Sequence, residues 1–265
     1  MRPIQRALPL LAAAIIVASL ILAGCGGSAP TCGPDDGSCL KVLFLGNSYT
    51  YVNDLPGTFA GLAWSGGHGV KADSMATGGE TLAGHLADAG TVARLDLHKW
   101  DFVVLQEQSE IPAFEASRQT TMNPSARALV SMIRERNEMP MFFMTWAHSG
   151  GLPDSGLPDY PSMQRQIDAG YMGIAQELHA MVAPVGDTWS IVRRQSPDIE
   201  LWAPDGSHPS TAGTYLAACV FYAAIFRESP SGLAFADGLA GETAAALQNA
   251  AASNVLSNLR HWGLG

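Results

Sequence analysis

The chain has 265 residues, 47% of them hydrophobic and 15% charged, and a formal net charge of −9 at pH 7. This length suits a single α/β domain with a large hydrophobic core. The acidic balance argues against nucleic acid and anionic lipid headgroups as partners, because both are negatively charged.

The first 24 residues have the layout of an export signal. Arg2 and Arg6 precede an apolar run over residues 7–23, which contains no acidic residue and is short for a membrane span. The segment ends in the letters LAGC, which resemble the lipobox of bacterial lipoproteins. The resemblance implies that Cys25 is lipidated and becomes the mature N-terminus, tethered by several acyl chains because one chain anchors only marginally. A plain secretory signal, cleaved nearby, is the alternative.

Cleavage before Cys25 leaves 241 residues and a net charge of −11, because two of the 15 basic residues and none of the 24 acidic ones are removed. The lipobox implies a protein of the bacterial cell envelope, anchored to a membrane and facing the periplasm or the exterior. We therefore divide the chain into a signal peptide (residues 1–24), a linker (residues 25–39) and one domain (residues 40–265).

The remaining cysteines predict a disulfide and a buried thiol. Cys32 and Cys39 lie in a linker rich in Gly, Pro, Asp and Ser, outside the reducing cytosol, so we expect them to pair. Cys219 lies in an apolar helical segment and is predicted to be a buried free thiol. The chain has no CxxC pair and no HExxH, and its seven histidines show no ligand spacing, so no metal or other cofactor is expected.

Apolar runs and helical patterns alternate along the domain. Strands are predicted within the segments LKVLFLG, GHGVKADSMATGG, FVVLQ, MPMFFMTW and MVAPVGD. Helices are predicted over residues 54–64, 81–88, 124–137, 162–179, 189–195, 211–226 and 242–262. Strands separated by helices predict a three-layer α/β/α sandwich around a mostly five-stranded parallel sheet, with right-handed crossovers.

Ser48 stands directly after the first predicted strand, in a turn that begins with Gly46 and Asn47. Such a turn puts the serine side chain at the carboxyl edge of the sheet and its N–H at the positive end of a helix, where developing negative charge is favoured. These features favour a nucleophile. Gly-Asn-Ser is also an ordinary strand-to-helix turn, so the motif alone leaves both interpretations open.

Asp205 and His208 lie near the other end of the domain, in a turn that Pro204 and Pro209 stiffen. At this spacing a carboxylate can meet an imidazole, which it would orient and stabilise when charged. An imidazole oriented in this way can act as the general base for a serine nucleophile. An Asp-Gly turn followed by a helix cap would account for the same residues without catalysis.

Other residues with hydrogen-bond donors are predicted at the same edge of the sheet. Gly79 belongs to a Gly-Gly turn that permits close approach of the backbone to a ligand. Gln106 and Gln108 follow the third strand, where neutral amide donors would suit an oxyanion. A solvated loop is the alternative for the two glutamines.

Aromatic residues are predicted near this edge as well. Trp146 and His148 follow the fourth strand, and a Gly/Pro-rich loop over residues 149–161 is expected to shape a cleft there. Trp202 precedes the Asp205 turn, and the tryptophan rings would suit a sugar ring or a short acyl chain. For His148 a packing or surface role is the favoured alternative.

Together these segments resemble the SGNH (GDSL-like) hydrolase family over about residues 41–226. The letters GNS ending at Ser48 stand in the place of the family's first block, and Gly79 looks like the second-block glycine. The letters DGSHP around His208 are similar to the fifth block. The resemblance implies a flavodoxin-like SGNH hydrolase fold, with Ser48 as nucleophile, His208 as general base and Asp205 as its partner.

The sequence departs from the family pattern at two places. The first block reads GNSYT instead of GDS with its usual Leu, and the third-block asparagine is absent. Gln108 aligns best with that asparagine and Gln106 lies close by, so the resemblance implies an oxyanion hole formed by the N–H groups of Ser48 and Gly79 and the Gln108 amide. No GxSxG elbow is present, which argues against the other large serine-hydrolase fold.

The resemblances to the lipobox and to this family imply an exported, lipid-anchored serine esterase that hydrolyses short acyl esters. Export and anchoring favour O-acetylated carbohydrate as the substrate class, by association only. Gln106, Trp146, His148 and Trp202 are predicted to line the substrate site. Two alternatives stay open. One is a carbohydrate-binding lipoprotein that keeps the fold without turnover, which the missing asparagine favours. The other is an O-acyltransferase, which the sequence does not distinguish from a hydrolase.

Overall fold

The computed structural model describes residue 32 and residues 39–97 and 99–265. The predicted signal peptide and the lipidation site Cys25 lie outside the described residues, as does most of the linker. Among the described residues, no helix is both long enough and apolar enough to cross a bilayer.

The other cysteines are arranged as the sequence predicts. Cys32 and Cys39 form a disulfide with their Cα atoms 5.8 Å apart, directly before the first strand. Cys219 is a free thiol, and burial raises its pKa far above the usual value. The disulfide therefore ties residue 32 to the start of the sheet.

Five parallel strands form one sheet in the described part of the chain. Their bounds are β1 Leu40–Gly46, β2 Val70–Ala76, β3 Phe102–Leu105, β4 Met139–Phe143 and β5 Met181–Ala183. Their order across the sheet is β2-β1-β3-β4-β5, and every neighbouring pair is parallel. With helices on both faces, the predicted three-layer α/β/α fold is confirmed.

The place of a strand in the sheet follows from its composition. β1 and β3 lie inside the sheet, and their apolar residues are buried because parallel strands are covered on both faces. β2 carries Lys71, Asp73 and Ser74 and lies at the edge, where polar side chains reach solvent. Asp73 pairs there with Arg94 at 2.8 Å.

Helices connect the strands on both faces of the sheet. Their bounds are α1 Ser48–Tyr51, α2 Leu55–Ser65, α3 Leu82–Ala87, α4 Ala89–Leu97, α5 Glu115–Ser117, α6 Asn123–Glu135, α7 Tyr160–Leu178, α8 Val185–Gln195, α9 Thr211–Phe226 and α10 Gly241–Leu256. All the predicted helices are present with bounds that differ by a few residues, and α1, α4 and α5 are additional.

Alternate side chains of β4 show how the two faces of the sheet are packed. Phe143 meets Phe221 of α9 edge-on, with ring centroids 5.0 Å apart, and Phe142 meets Tyr171 of α7 at 6.3 Å on the other face. α9 is buried along most of its length because it packs against the sheet and against α2 and α10. Its first turn thereby holds the segment that precedes it, which contains Asp205 and His208.

The carboxyl ends of the parallel strands meet at one edge of the sheet. Leu45 of β1 pairs with Leu105 of β3, so Gly46 and Gln106 leave the sheet side by side. Open α/β sheets bind ligands at this edge, where the connections leave the strands. The structure thus brings the polar segments that follow β1, β3 and β4 to one place.

Candidate active site

Ser48, His208 and Asp205 lie in a hydrogen-bonded row at this edge. His208 Nε2 is 2.9 Å from Ser48 Oγ, although the two residues are 160 positions apart, and His208 Nδ1 is 2.6 Å from Asp205 Oδ2. The Asp205 carboxylate also accepts the backbone N–H groups of Ser207 and His208, both at 2.9 Å. The structure brings together the three residues that the sequence singled out.

The charge on Asp205 fixes the roles of the two imidazole nitrogens. The Ser207 N–H, followed by the His208 side chain, lowers the pKa of Asp205 to about 2. Because an ionised carboxylate only accepts hydrogen bonds, Nδ1 of His208 carries the proton that it donates to Asp205. In the neutral imidazole, Nε2 is then free to accept the Ser48 hydroxyl proton.

The turn that carries Ser48 is held by Gln106. The Gln106 Oε1 atom accepts the N–H of Asn47 and the hydroxyl of Thr50, each at 2.9 Å, and its Nε2 donates to Asn47 Oδ1 at 2.8 Å. A Cβ on Gly46 would lie 2.5 Å from Gln106 Oε1, so this close approach requires glycine. Gln106 is fully buried and all its amide atoms are occupied, so the prediction that it lines the substrate site is wrong.

Trp146 also supports the site from within the core. Its ring is stacked between Tyr49 at 4.5 Å and Trp189 at 4.1 Å, and its Nε1 donates to the carbonyl of Ser207 at 2.9 Å. The Ser207 hydroxyl meets Tyr49 OH at 2.8 Å, and burial raises the pKa of that tyrosine to about 12. Trp146 was predicted to line the substrate site, but rings on both its faces bury it, so it positions the turn between Asp205 and His208.

Trp202 and His148 lie outside the cavity in front of Ser48. Trp202 is buried, donates its Nε1 to the carbonyl of Ala147 at 3.1 Å and lines a separate cavity behind the Asp205 turn. His148 is half-buried, its Nε2 has no partner among the described residues, and burial lowers its pKa. Neither fits its predicted role as a wall of the substrate site, because the loop after β4 turns away towards the Asp205 turn.

A cavity of about 310 Å³ opens in front of Ser48. Its lining is mostly hydroxyl, amide and glycine groups: Asn47, Ser48, Tyr49, Tyr51, Gly78, Gly79, Gln108, Ser109, Ser207 and His208. In the described part of the chain, no group of three or more His, Cys, Asp or Glu residues is arranged to hold a metal ion. The cavity therefore offers a serine, an imidazole and hydrogen-bond donors to a small polar ligand.

Three donors predicted for an oxyanion surround this cavity. Ser48 is the first residue of α1, and the first N–H groups of a helix have no acceptor within the helix. Neither the N–H of Ser48 nor that of Gly79 donates to another described residue. Gly79 has φ +72 and open space around it. Gln108 uses its Oε1 to accept from Glu110 N at 2.8 Å, which leaves its Nε2 near the cavity with only Ser109 Oγ at 3.2 Å.

Glu107 was not singled out from the sequence, but it is central to this geometry. It is fully buried, and its Oε1 accepts the N–H of Leu82 at 3.2 Å and of Gln108 at 2.7 Å. Its own N–H donates to Tyr171 OH at 3.1 Å. Burial raises the pKa of Glu107 to about 7. A glutamate in a polar run gives no sequence signal of burial, so only the fold reveals it.

His85 is a second buried residue that the sequence did not reveal. Its Nε2 donates to the carbonyl of Gly46 at 2.8 Å, and its Nδ1 lies 3.3 Å from Thr91 Oγ. Burial lowers the pKa of this imidazole. His85 thereby fixes the backbone directly before the turn that holds Ser48.

Comparison with known proteins gives matches among solved structures. A scan against protein-family models and a search of curated proteins found no match. A protein from Slackia heliotrinireducens described as an SGNH hydrolase is 32% identical over 69% of this chain and 97% of its own, with a TM-score of 0.58.

Two further matches are more distant in sequence. A DUF4886 family protein from Bacteroides uniformis is 21% identical over 82% of this chain and 95% of its own, with a TM-score of 0.70. An acetyl xylan esterase from Geobacillus stearothermophilus is 17% identical over 70% of this chain and 94% of its own, with a TM-score of 0.55. At these identities the two matches show the fold alone.

Proposed function

Because the chain belongs to the SGNH hydrolases, a family of ester hydrolases, we propose that it is a serine esterase acting on short acyl esters. The observation that carries the proposal is the contact of Ser48 Oγ with His208 Nε2 at 2.9 Å, beside a cavity with open N–H donors. In this proposal Ser48 is the nucleophile, His208 the general base, and Asp205 the carboxylate that orients the imidazole.

The first half-reaction transfers the acyl group to Ser48. The Ser48 Oγ attacks the ester carbonyl carbon while its proton passes to His208 Nε2, and Asp205 stabilises the imidazolium. The carbonyl oxygen becomes an oxyanion that accepts hydrogen bonds from the N–H groups of Ser48 and Gly79 and from the Gln108 amide. As the carbon–oxygen bond to the alcohol breaks, His208 returns the proton to the leaving alcohol.

The second half-reaction releases the acid. A water molecule loses a proton to His208 Nε2 and attacks the acyl carbon, and the same donors hold the second oxyanion. The bond to Ser48 Oγ then breaks, and the proton on His208 returns to the serine. One ester and one water thereby become one alcohol and one acid.

The substrate class that we propose is O-acetylated carbohydrate. The cavity of about 310 Å³ is small, which suits an acetyl group better than a long acyl chain. Structural neighbours include proteins described as acetyl xylan esterases, and this likeness supports the class by association. In this proposal the exposed ring of Tyr51, which lines the cavity, contacts a sugar face.

Hydrolysis of p-nitrophenyl acetate and of acetylated xylo-oligosaccharides by purified protein lacking residues 1–24 tests this proposal. We expect Ser48→Ala to lower kcat by about 10⁶. The matched control is Ser131→Ala, which removes a hydroxyl from the exposed face of α6 and should leave kcat unchanged. Equal rates for wild type and Ser48→Ala would remove the proposal.

We also propose that the enzyme is exported and anchored to a membrane through lipidated Cys25. The LAGC segment after the apolar run supports this proposal. In a bacterial host, Cys25→Ser should move the protein from the membrane fraction to the soluble fraction. Membrane association that is the same for both chains would contradict lipid anchoring at this residue.

A further inference from the structure

Glu107 binds two parts of the chain that border the cavity. Its Oε1 accepts the N–H of Leu82, at the start of α3, and the N–H of Gln108, in the segment after β3. The α3 start follows Gly79 after two residues, with Thr81 as its N-terminal cap. One buried oxygen therefore joins the loop that carries the Gly79 N–H to the loop that carries the Gln108 amide.

The distance between these two loops matters for catalysis. A donor stabilises an oxyanion only if it is already aimed at the place where negative charge develops. A displacement of about 1 Å can lower a rate by roughly 10². Gly79 and Gln108 follow β2 and β3, which both pair with β1 but not with each other. No direct backbone pairing therefore sets the spacing of the two loops beyond the ends of the strands.

We propose that Glu107 is a positioning residue of the oxyanion hole, whose Oε1 sets the spacing between Gly79 and Gln108. The inference rests on the proposed function, because it concerns donors that act on an ester oxyanion. Glu107 does not touch the substrate in this proposal. It acts through the two loops that it binds, while its N–H is held by Tyr171 in the core.

A purely structural role would give the same contacts, and the chain contains a residue that separates the two possibilities. Glu138 is also buried, its Oε1 accepts the N–H of Trp100 at 2.9 Å, and its Oε2 has no partner among the described residues. Glu107 Oε2 likewise has none. Glu138 precedes β4 at the opposite end of the sheet, so its loss should affect stability without moving the donors around the cavity.

The test compares Glu107→Leu, Glu107→Gln and Glu138→Leu by kcat, KM and melting temperature on p-nitrophenyl acetate. We expect Glu107→Leu to lower kcat by about 10- to 100-fold with little change in KM, because ground-state binding does not need the oxyanion geometry. Glu107→Gln should restore kcat, since its amide oxygen can accept both N–H groups. Glu138→Leu should lower the melting temperature and leave kcat unchanged.

A second pair of variants covers the case in which Glu107→Leu does not fold. Leu82 is the first residue of α3 and Thr81 before it is extended, a place where proline is tolerated. Leu82→Pro and Leu82→Ala both lose the buried side chain, but only proline removes the N–H that Glu107 accepts. We expect kcat of Leu82→Pro to lie at least about tenfold below that of Leu82→Ala.

The outcomes separate the inference from the proposed function. Unchanged kcat in Glu107→Leu, or equal kcat in the two Leu82 variants, overturns the positioning role while a loss of activity in Ser48→Ala keeps the esterase. An equal fall in kcat for Glu107→Leu and Glu138→Leu also overturns it, because the effect would then be general. Full activity of Ser48→Ala removes the esterase, and the positioning role with it.

Discussion

At the amino end of the sheet, polar side chains bind the backbone of neighbouring strands, whereas at the carboxyl end they bind backbone that surrounds a cavity. Asp101 Oδ2 accepts the N–H of Lys41 at 2.7 Å, which joins the start of β3 to β1. Glu138 accepts the N–H of Trp100 and joins the start of β4 to the same segment. These bonds link neighbouring strands at the end of the sheet opposite the cavity.

The carboxyl end contains the same kinds of groups in a different arrangement. Gln106 and Glu107 are buried and satisfy backbone N–H groups, as Glu138 does. The turns that they hold, however, present N–H groups of Ser48 and Gly79 that no described residue accepts. Similar buried residues thus complete the backbone bonding at one end of the sheet, and at the other end they hold turns whose N–H groups stay open to the cavity.

Among the variants that test this comparison between the two ends of the sheet, we expect the largest fall in kcat when Asp205 is replaced. Asp205→Asn keeps the shape of the turn, but a neutral amide no longer fixes the His208 proton on Nδ1. By analogy with serine triads, we expect kcat for ester hydrolysis to fall by about 10⁴. Asp101→Asn, at the amino end, is the matched control and should leave kcat unchanged. Near-normal kcat in Asp205→Asn would contradict the role of this carboxylate.

Gln108 should give the next largest effect. Gln108→Glu keeps an oxygen for the N–H of Glu110 but lacks the amide donor, so we expect kcat to fall by at least about 10² to 10³. The melting temperature should change little. Gln106→Ala should instead lower the melting temperature, because the buried bonds to Asn47 and Thr50 are lost. If Gln108→Glu and Gln108→Ala both kept wild-type kcat, another group would complete the oxyanion hole.

Glu107 should make the stability of the protein depend on pH. Burial raises its pKa from 4.5 to about 7, opposed by the N–H groups of Gln108 and Leu82 and assisted by the charge of Glu80. Protonated Glu107 contributes to the free energy of unfolding. This contribution is fully present below pH 4.5 and is lost as the pH rises through about 7.

The side chain of residue 107 does not titrate in Glu107→Gln. From acid to alkaline pH, the free energy of unfolding of this variant should therefore rise by up to about 3 kcal/mol relative to that of wild type. Urea unfolding at several pH values measures this difference. Glu138→Gln should change in the same direction, because burial also raises the pKa of Glu138. A difference between Glu107→Gln and wild type that does not vary with pH would contradict the raised pKa.

Removal of the disulfide, which lies at the amino end of the sheet before β1, should have the smallest effect. Replacing Cys32 and Cys39 by serine opens a loop of seven-residue separation, and we expect the free energy of unfolding to fall by roughly 2.5 kcal/mol. The kinetic constants should stay those of wild type, because the bridge lies at the start of β1. Two free thiols in exported wild-type protein, measured by mass spectrometry, would contradict the pairing.

Most of the fold could be predicted because apolar strands alternate with helices. FVVL and MFF are readable as buried strands, and even the polar β2 was found from its short run between glycine-rich segments. α1 was missed because it is a single turn, and α4 because it buries only Thr91 and Leu95. Short or weakly amphipathic helices depend on the tertiary contacts that they make.

The site was predictable where residue type and spacing carry the chemistry. Ser48, Asp205 and His208 stand out in the sequence, and the fold brings them together. Gln106 and Trp146 follow their strands as predicted, but they are buried and do not line the cavity. Burial decides whether a polar or aromatic residue after a strand faces a cavity or the core, and the sequence does not show it. The predictions for residues 1–31 stay predictions.

Reaction with a fluorophosphonate, mapped by peptide mass spectrometry, tests the nucleophile most directly. The reagent transfers its phosphonyl group to an activated serine and releases fluoride, so the modified peptide identifies the residue. We predict modification of the wild type at Ser48, none in Ser48→Ala, and greatly slowed modification in His208→Ala, whereas Glu138→Leu should be modified as wild type. An unmodified Ser48 in the folded wild type, or modification at another serine that persists in Ser48→Ala, would contradict the account.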